Sequence, residues 1–383
     1  MKVVFIVACC IAVFAVGGLA LSLGERSIPF IHVYELVWDH LCGATYEYDS
    51  PGWWDDFIVW EIRMPRIVMG VVAGASLSLG GVIMQSMMKN PLADPYTTGV
   101  SSGACFGAVA AVVVGTTFSA VAEDYAIVTN AFIGSLVPAF LVIAMSSRVR
   151  ASSVTMILVG TAISYMFNAL TTIIMVAADE SKLAAAYAWQ VGSLSDAVWD
   201  QIPFMAVVSL VGMILMMIMA SRLNLLLLGD EGAHSLGLDV QGFRRLCLVV
   251  LAFMTASIVS FTGIIGFVGL IVPHVVRFFI GSDNRYLIPA SMTLGALVMI
   301  SADLVARLIS KGSIPVGIVM SFAGGFVFLL LVMNTKNVRG TARWCPRGIL
   351  MFIRDMSPFV VEGCCSSPSW RWRYLCWPFS LLP

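Results

Sequence analysis

The chain has 383 residues and no net charge; hydrophobic side chains fill 59% of positions and charged ones only 11%, against about 25% in an ordinary soluble domain. Mean hydropathy is +0.93. A neutral, charge-poor chain gives no basis for nucleic-acid binding and is not built to be wrapped in water, so it reads as an all-α, multi-pass membrane protein.

In chain order the first element is an uncharged run at 3–23 behind Met1-Lys2. Ile6-Val7-Ala8-Cys9 has the look of a lipoprotein cleavage box, but Cys9 comes too early for an apolar core to precede it. The expectation is an uncleaved first helix. Further apolar runs follow near 67–88, 99–121, 125–147, 152–178, 201–221, 246–262, 264–280, 286–306 and 313–334. Each approaches the roughly 20 residues that a bilayer crossing needs. Open backbone cannot sit in hydrocarbon and the runs are too long for barrel strands, so they are helices.

Leu246 to Val276 has no charged residue at all, which is too long for one straight helix. Gly263, Gly266 and Gly269 place a break near Phe261–Ile264 and bring the count to ten spans. Loop charge agrees. With a cytoplasmic start, Lys89, Arg148, Arg150, Arg222, Arg244, Arg245, Arg277, Arg285 and the tail beginning at Lys336 all face inward. Merging the two short helices would send Arg277, Arg285 and the tail outside. Both termini are thus expected in the cytoplasm.

Nothing points to catalysis. The four histidines, His32, His40, His234 and His274, are scattered, and no His-Cys-Asp cluster has metal-ligand spacing. Cys9, Cys10, Cys105 and Cys247 lie in or beside apolar runs, where thiols act as small hydrophobes. No phosphate-binding loop, nucleophile elbow or dinucleotide fingerprint occurs. Within the predicted spans the charged residues are Arg277 and Asp303, each near a helix end. No catalytic, cofactor-binding or metal-ligating residue is assigned.

The spans are instead rich in small residues. "GVVAGASLSLGG" (70–81) and "GVSSGACFGAVA" (99–110) carry Gly, Ala and Ser every three or four positions, a spacing that lets helix backbones approach closely. Pro65 stands where the second span begins, a position a helix tolerates. The "KNPLADP" segment ends that span, because the residue before a proline leaves helical geometry. Pro273 falls inside the eighth span, which must kink unless a neighbour satisfies the carbonyl it frees.

These segments together resemble the FecCD-type permeases of ABC importers, which carry iron-siderophores, haem or vitamin B12. The resemblance rests on Arg63-Met64-Pro65-Arg66, Gly74-Ala75, Gln85, "KNPLADPYTTGVSSGA" (89–104), "WQVGSL" (189–194), "GDEGAHSLGLDV" (229–240), "GFVGLIVPHVVR" (266–277), "ADLVAR" (302–307) and "IPVGIV" (314–319), in family order from Arg63 to Leu331. It implies the type II ABC importer permease fold over 1–340, working as a homodimer in the cell or inner membrane. Two ATP-binding subunits would carry ATP and Mg, an extracytoplasmic binding protein would deliver substrate, and no cofactor would be bound by this chain.

Three sets of residues follow from that resemblance. Arg63, Arg66 and Arg307 would lie at the outer ends of the second and ninth spans. A cation there can keep its head hydrated as a simple interface anchor, or bind carboxylates in bidentate fashion; the family uses arginines at these motif positions to dock acidic residues of the binding protein. The loop around Gly229, Asp230, Glu231, Ala233, His234, Ser235, Leu236 and Gly237 carries helix-start acids and a helix-stop glycine. Asp239 then caps a second helix, giving two short helices hinged at Gly237, which the family uses as the contact to the ATPase. His234 can equally be a solvated loop histidine. By the same analogy Ser152 and Ser153 are candidates for the cytoplasmic gate, and "WQVGSL" for a short helix closing the outer side.

The chain departs from the family in a tail, 341–383, with four Cys and four Trp and no periodicity. An interfacial Trp/Arg anchor and a shifted reading frame both fit it. "GSIPVG" and "FAGGFVF" also replace the usual acidic and Gly-Ala-Pro patterns around the tenth span. An ATP-independent transporter or channel, and a non-transporting scaffold, stay open as alternatives. The substrate is not written in the sequence.

Overall fold

The computed structural model of the chain describes residues 2–43, 46–116, 125–148, 153–310 and 314–335. Among these there are helices and loops and no strand. The tail at 341–383 and Ser152 fall outside the described residues, as does the side chain of Ser153.

Helix α1 spans Lys2–Ser22. After it come α2 (Phe30–Leu41) and α3 (Pro51–Phe57), and α3 passes through π-helical turns (Ile58–Arg63) into α4, Met64–Met88. The chain then makes a short 3-10 turn at Pro95–Thr98 and continues as α5 (Val100–Val109, with π turns to Val114), α6 (Ala126–Arg148), α7 (Ser153–Val176), α8 (Glu180–Gln190) and α9 (Ile202–Ile218). Next are α10 (Ala220–Leu227), α11 (Asp230–Ser235), α12 (Val240–Thr262), α13 (Val268–Ile280), α14 (Asn284–Ser310) and α15 (Val316–Thr335). Among the described residues seven helices are long and apolar enough to cross a membrane, and three shorter apolar ones cover Val100–Val114, Val268–Ile280 and Val316–Leu330. Each of the ten expected spans therefore has its helix. The second begins earlier than expected, as one run over Pro51–Met88, and the sixth stops at Ile218, beyond which the chain turns into α10.

The expected break is real and has a structural reason. Gly263 ends α12 with φ +66° and Phe267 starts α13 with φ +68°. A Cβ at Gly263 would lie 2.3 Å from the Trp189 carbonyl oxygen, so only glycine lets the two segments meet. Ser193 N donates to Thr262 O (2.8 Å) and Gly317 N to Gly192 O (3.0 Å), while Tyr96 Oη donates to Ile265 O (3.0 Å). The turn after α8, the α12–α13 break and the start of α15 thus share backbone hydrogen bonds. The "WQVGSL" segment is not itself a short helix: α8 stops at Gln190, and Val191–Leu194 is the turn that packs here.

Helix α4 is the axis of the bundle, with 83% of its most apolar window buried, against 17% for α1 and 22% for α7. Its small residues account for that. A Cβ on Gly74 would meet the Gly295 carbonyl of α14 at 2.4 Å, and one on Gly81 would meet the Gly269 carbonyl of α13 at 1.7 Å. The second small-residue segment does the same between α5 and α6, where Gly103 faces Gly134 and Gly107 faces Asn130. Without a hydrophobic drive between helices in lipid, such backbone approach is what packing relies on.

Pro273 is accommodated by this contact. Lacking an N–H, it leaves Gly269 O, four residues back, without a helical donor. Gln85 of α4 supplies one, its Nε2 lying 3.3 Å from Gly269 O and 3.1 Å from Leu270 O. The Gln85 side-chain oxygen in turn accepts from Arg277. Gln85 therefore repairs the gap in α13 and neutralises part of an intramembrane cation's desolvation cost.

Candidate docking and coupling sites

The two main sets of candidate residues lie at opposite ends of α4. Its 25 residues separate Arg63 from Lys89 by about 39 Å at 1.5 Å per residue.

At the first end the arginines are not hydrated heads. Arg63 is 6% exposed and Arg66 9%. Arg66 makes a fork-on-fork pair with Asp303 of α14: Nε lies 2.9 and 3.0 Å from the two carboxylate oxygens and Nη2 2.7 Å from Oδ1. Arg307, one turn further along α14, brings Nε to 3.2 Å from Asp303 Oδ2 as an ion pair. Arg63 donates to the carbonyls of Leu21, Ser22 (3.2 Å) and Arg26 (2.5 Å), and Arg307 Nη1 to Ala20 O (3.2 Å). The last carbonyls of a helix have no partner within it and carry the negative end of its dipole. The arginines thus cap α1 and bind it to α4 and α14. One carboxylate serves two of the three guanidinium groups, and Arg307 Nη2 is buried without a hydrogen-bond partner.

Asp303 is the residue that reading the sequence did not place here. It stood out only as a charge near a helix end; its four-residue spacing to Arg307 was the available signal. Its link to Arg66 spans 237 positions of chain.

At the second end Gly229, with φ +104°, is the N-cap of α11. Asp230 and Glu231 occupy the first turn of that helix, where exposed N–H groups favour negative charge. The helix ends in a Schellman arrangement: Gly237 N donates to His234 O (2.9 Å) and Leu238 N to Ala233 O (3.0 Å), with Gly237 at φ +83°. Ala233 is buried against the core, while Glu231, His234, Ser235 and Leu236 point outward. Leu236 is 60% exposed and Leu228 63%, so the knob carries an apolar tip. The expected second short helix does not exist as a separate element. Asp239 does cap a helix, accepting from Gly242 N at 3.0 Å, but that helix is α12, which runs on through Thr262.

The knob is tied to the bundle through Asp230. Lys89 Nζ, at the left-handed C-cap of α4, donates to Asp230 Oδ1 (2.8 Å), and Arg244 of α12 donates to both oxygens at 2.9 Å. Burial alone would lift the Asp230 carboxyl, but the hydrogen bonds from Lys89 and Arg244 outweigh it and hold the group below the usual carboxylate range. Beside it, Asn224 of α10 donates to Asp283 Oδ1 (2.7 Å) and accepts from Asn284 N (2.9 Å). These contacts join α10 and α11 to the C-terminal end of α4 and the N-terminal ends of α12 and α14. Neither Lys89 nor Arg244 was singled out as a knob partner, because both read as ordinary loop cations.

The gate candidates Ser152 and Ser153 cannot be related to this geometry. Among the described residues no group of His, Cys, Asp and Glu is arranged to hold a metal.

The chain as a whole compares closely with known proteins. The model of the FecCD transport family matches residues 9–334. The chain belongs to the FecCD transport family. It is 40% identical over 280 residues to the cobalamin import system permease protein BtuC of Halobacterium salinarum, covering 73% of this chain and 74% of that one. It is 35% identical over 285 residues to the hemin transport system permease protein HmuU of Yersinia pestis, covering 73% and 85%. Among solved structures it is similar to one described as an inward-facing conformation of a metal-chelate type ABC transporter. That likeness has a TM-score of 0.75 at 28% identity and covers 86% of this chain and 98% of the other. The chain is therefore a multi-pass membrane permease with the type II ABC importer fold.

Proposed function

We propose that this FecCD-family permease is the membrane subunit of a binding-protein-dependent ABC importer for iron chelates (a ferric siderophore or haem) or cobalamin. Substrate moves inward by ATP-driven alternating access. The observation that carries the reading is the family match across nearly the whole chain, together with a protruding knob at Gly229–Gly237. Relatives named for cobalamin and hemin support the substrate class. ATP and Mg belong to two separate ATPase subunits.

In this reading the knob enters the ATPase, with Leu236, Glu231, His234 and Ser235 making contact and Asp230 passing its motion to α4 and α12. The arginine corner docks the binding protein. Three arginines stand against one carboxylate there, so the corner carries a net positive charge that an acidic partner surface would feel. Ser152 and Ser153 remain gate candidates. A second copy completes the pathway: Tyr165 and Asn168 are exposed on α7 in the single chain, and polar groups at mid-span face water or protein rather than lipid. Lys89, Arg222, Arg244, Arg245 and Arg285 gather at the knob end, which the positive-inside rule puts in the cytoplasm of the cell or inner membrane along with both termini. An ion-coupled transporter would need a membrane-embedded acid free to take up the ion or proton; Asp303, the acid within the predicted spans, is committed to Arg66 and Arg307.

The test is Leu236→Asp, which leaves the buried face of α11 untouched. Co-purification of the ATPase is expected to fall at least tenfold, with uptake lost and the permease still monodisperse. Unchanged co-purification would remove the knob from the ATPase contact.

A further inference from the structure

Helix α2, between α1 and α3, presents three distinct faces. At about 100° per residue, Phe30, Leu41, Tyr34, Trp38 and Ile31 follow one another around one sector. Ile31 is 74% exposed, Trp38 68% and Leu41 66%. The next sector holds Glu35, Asp39 and His32, with His32 paired to Glu35 at 3.1 Å. The third is turned inward. Val33 and Leu36 are fully buried in a cluster with Leu21, Ile67 and Ile300, and His40 stacks on Trp60 with centroids 4.1 Å apart while pairing with Asp56.

A soluble surface helix needs two faces, protein and water. The third, an apolar face rich in aromatics beside a charged one, is the pattern of a helix lying at a membrane surface. Depth agrees. Tyr34 Oη donates to the carbonyl oxygen of Phe14 (2.8 Å), eight residues inside the end of α1 and so about 12 Å along its axis. The neighbouring outer face of α1, with Val7, Ile11 and Phe14 exposed, belongs to a spanning helix with only 17% of its window buried. The apolar sector of α2 continues that lipid-facing surface.

We infer that α2 is an interfacial helix. Its Phe30–Ile31–Tyr34–Trp38–Leu41 sector lies in the boundary between hydrocarbon and headgroups of the leaflet at the Arg63 end, with Glu35, Asp39 and His32 in water. Tyr and Trp are the residues that favour that boundary. Because Val33 and Leu36 pack on the ends of α1, α4 and α14, this contact sets the depth at which the arginine corner sits.

Nitroxide labels at Ile31→Cys, Trp38→Cys, Leu41→Cys and Glu35→Cys, in the full chain with its nine native cysteines replaced by alanine and reconstituted in phosphatidylcholine–phosphatidylglycerol nanodiscs, test this by relaxation with oxygen and with a water-soluble nickel chelate. Labels at 31, 38 and 41 are expected to be several-fold more accessible to oxygen than the label at 35, and the order should reverse for nickel. Equal nickel accessibility at all four would place α2 in water and overturn the inference. So would immobile labels at 31, 38 and 41 shielded from both reagents, which would mean that another protein surface covers the sector. Three apolar positions are used so that failure of the Trp38 variant to fold leaves the test intact.

Discussion

Replacing Asp303 with asparagine is expected to destabilise the folded chain by about 3–5 kcal/mol, the usual effect of removing one partner from a buried ion pair. The side chain of Asp303 is 3% exposed, and those of its partners Arg66 and Arg307 are 11% and 10%. Asparagine keeps the shape but not the charge, leaving both cations in one buried corner. Arg63 lies against the end of α1 beside them, so the loss would be felt at the joint of α1, α4 and α14. Thermal unfolding in detergent, followed by tryptophan fluorescence, reads this directly. A loss below 1 kcal/mol would mean that water already screens the corner. A simple charge reversal at Arg63 and Arg66 is consequently a poor test of docking, because it would disturb folding first.

Gly81→Ala is expected to have an effect as large from a single methyl group. The added Cβ would sit 1.7 Å from the Gly269 carbonyl oxygen of α13, and backbone cannot yield as a flexible side chain can. Helices α4 and α13 would separate, and Gln85 would lose its reach to Gly269 O and Leu270 O. Overpacking commonly costs about 1–3 kcal/mol; a backbone clash at the centre of the bundle belongs at or above the top of that range. Gly17→Ala in α1, where a Cβ meets nothing within 4 Å, is the control and should leave melting unchanged. Equal melting curves for the two variants would show that the α4–α13 contact is not tight.

What the sequence made legible was mostly one-dimensional. Runs of apolar residues gave the ten spans, and loop charge decided the break at Gly263. Gly237 and Asp239 announced the end of α11 and the start of α12, because a left-handed stop and an Asx cap are local events. The small-residue segments announced close packing, though not that Gly81 meets Gly269 or that Gly107 meets Asn130. Partners distant in the chain were out of reach. Asp303 neutralising Arg66, Gln85 closing the gap left by Pro273, and Lys89 with Arg244 gripping Asp230 all depend on which helices become neighbours. The same blindness left Arg63 and Arg66 as rim cations, either hydrated anchors or open to a docking carboxylate. Helix α2 was hidden for another reason: its residues mix three environments and so carry no long apolar run.

The proposed permease works with an ATPase at the knob and a binding protein at the arginine corner. The most direct test is purification of the tagged, full-length chain from its own cells in mild detergent, with mass spectrometry of what comes with it. An ATP-binding subunit and a soluble binding protein are expected in the same complex, with the small molecule on the latter being an iron chelate or a corrinoid. Recovery of the permease alone, under conditions that hold known ABC complexes together, would contradict that arrangement.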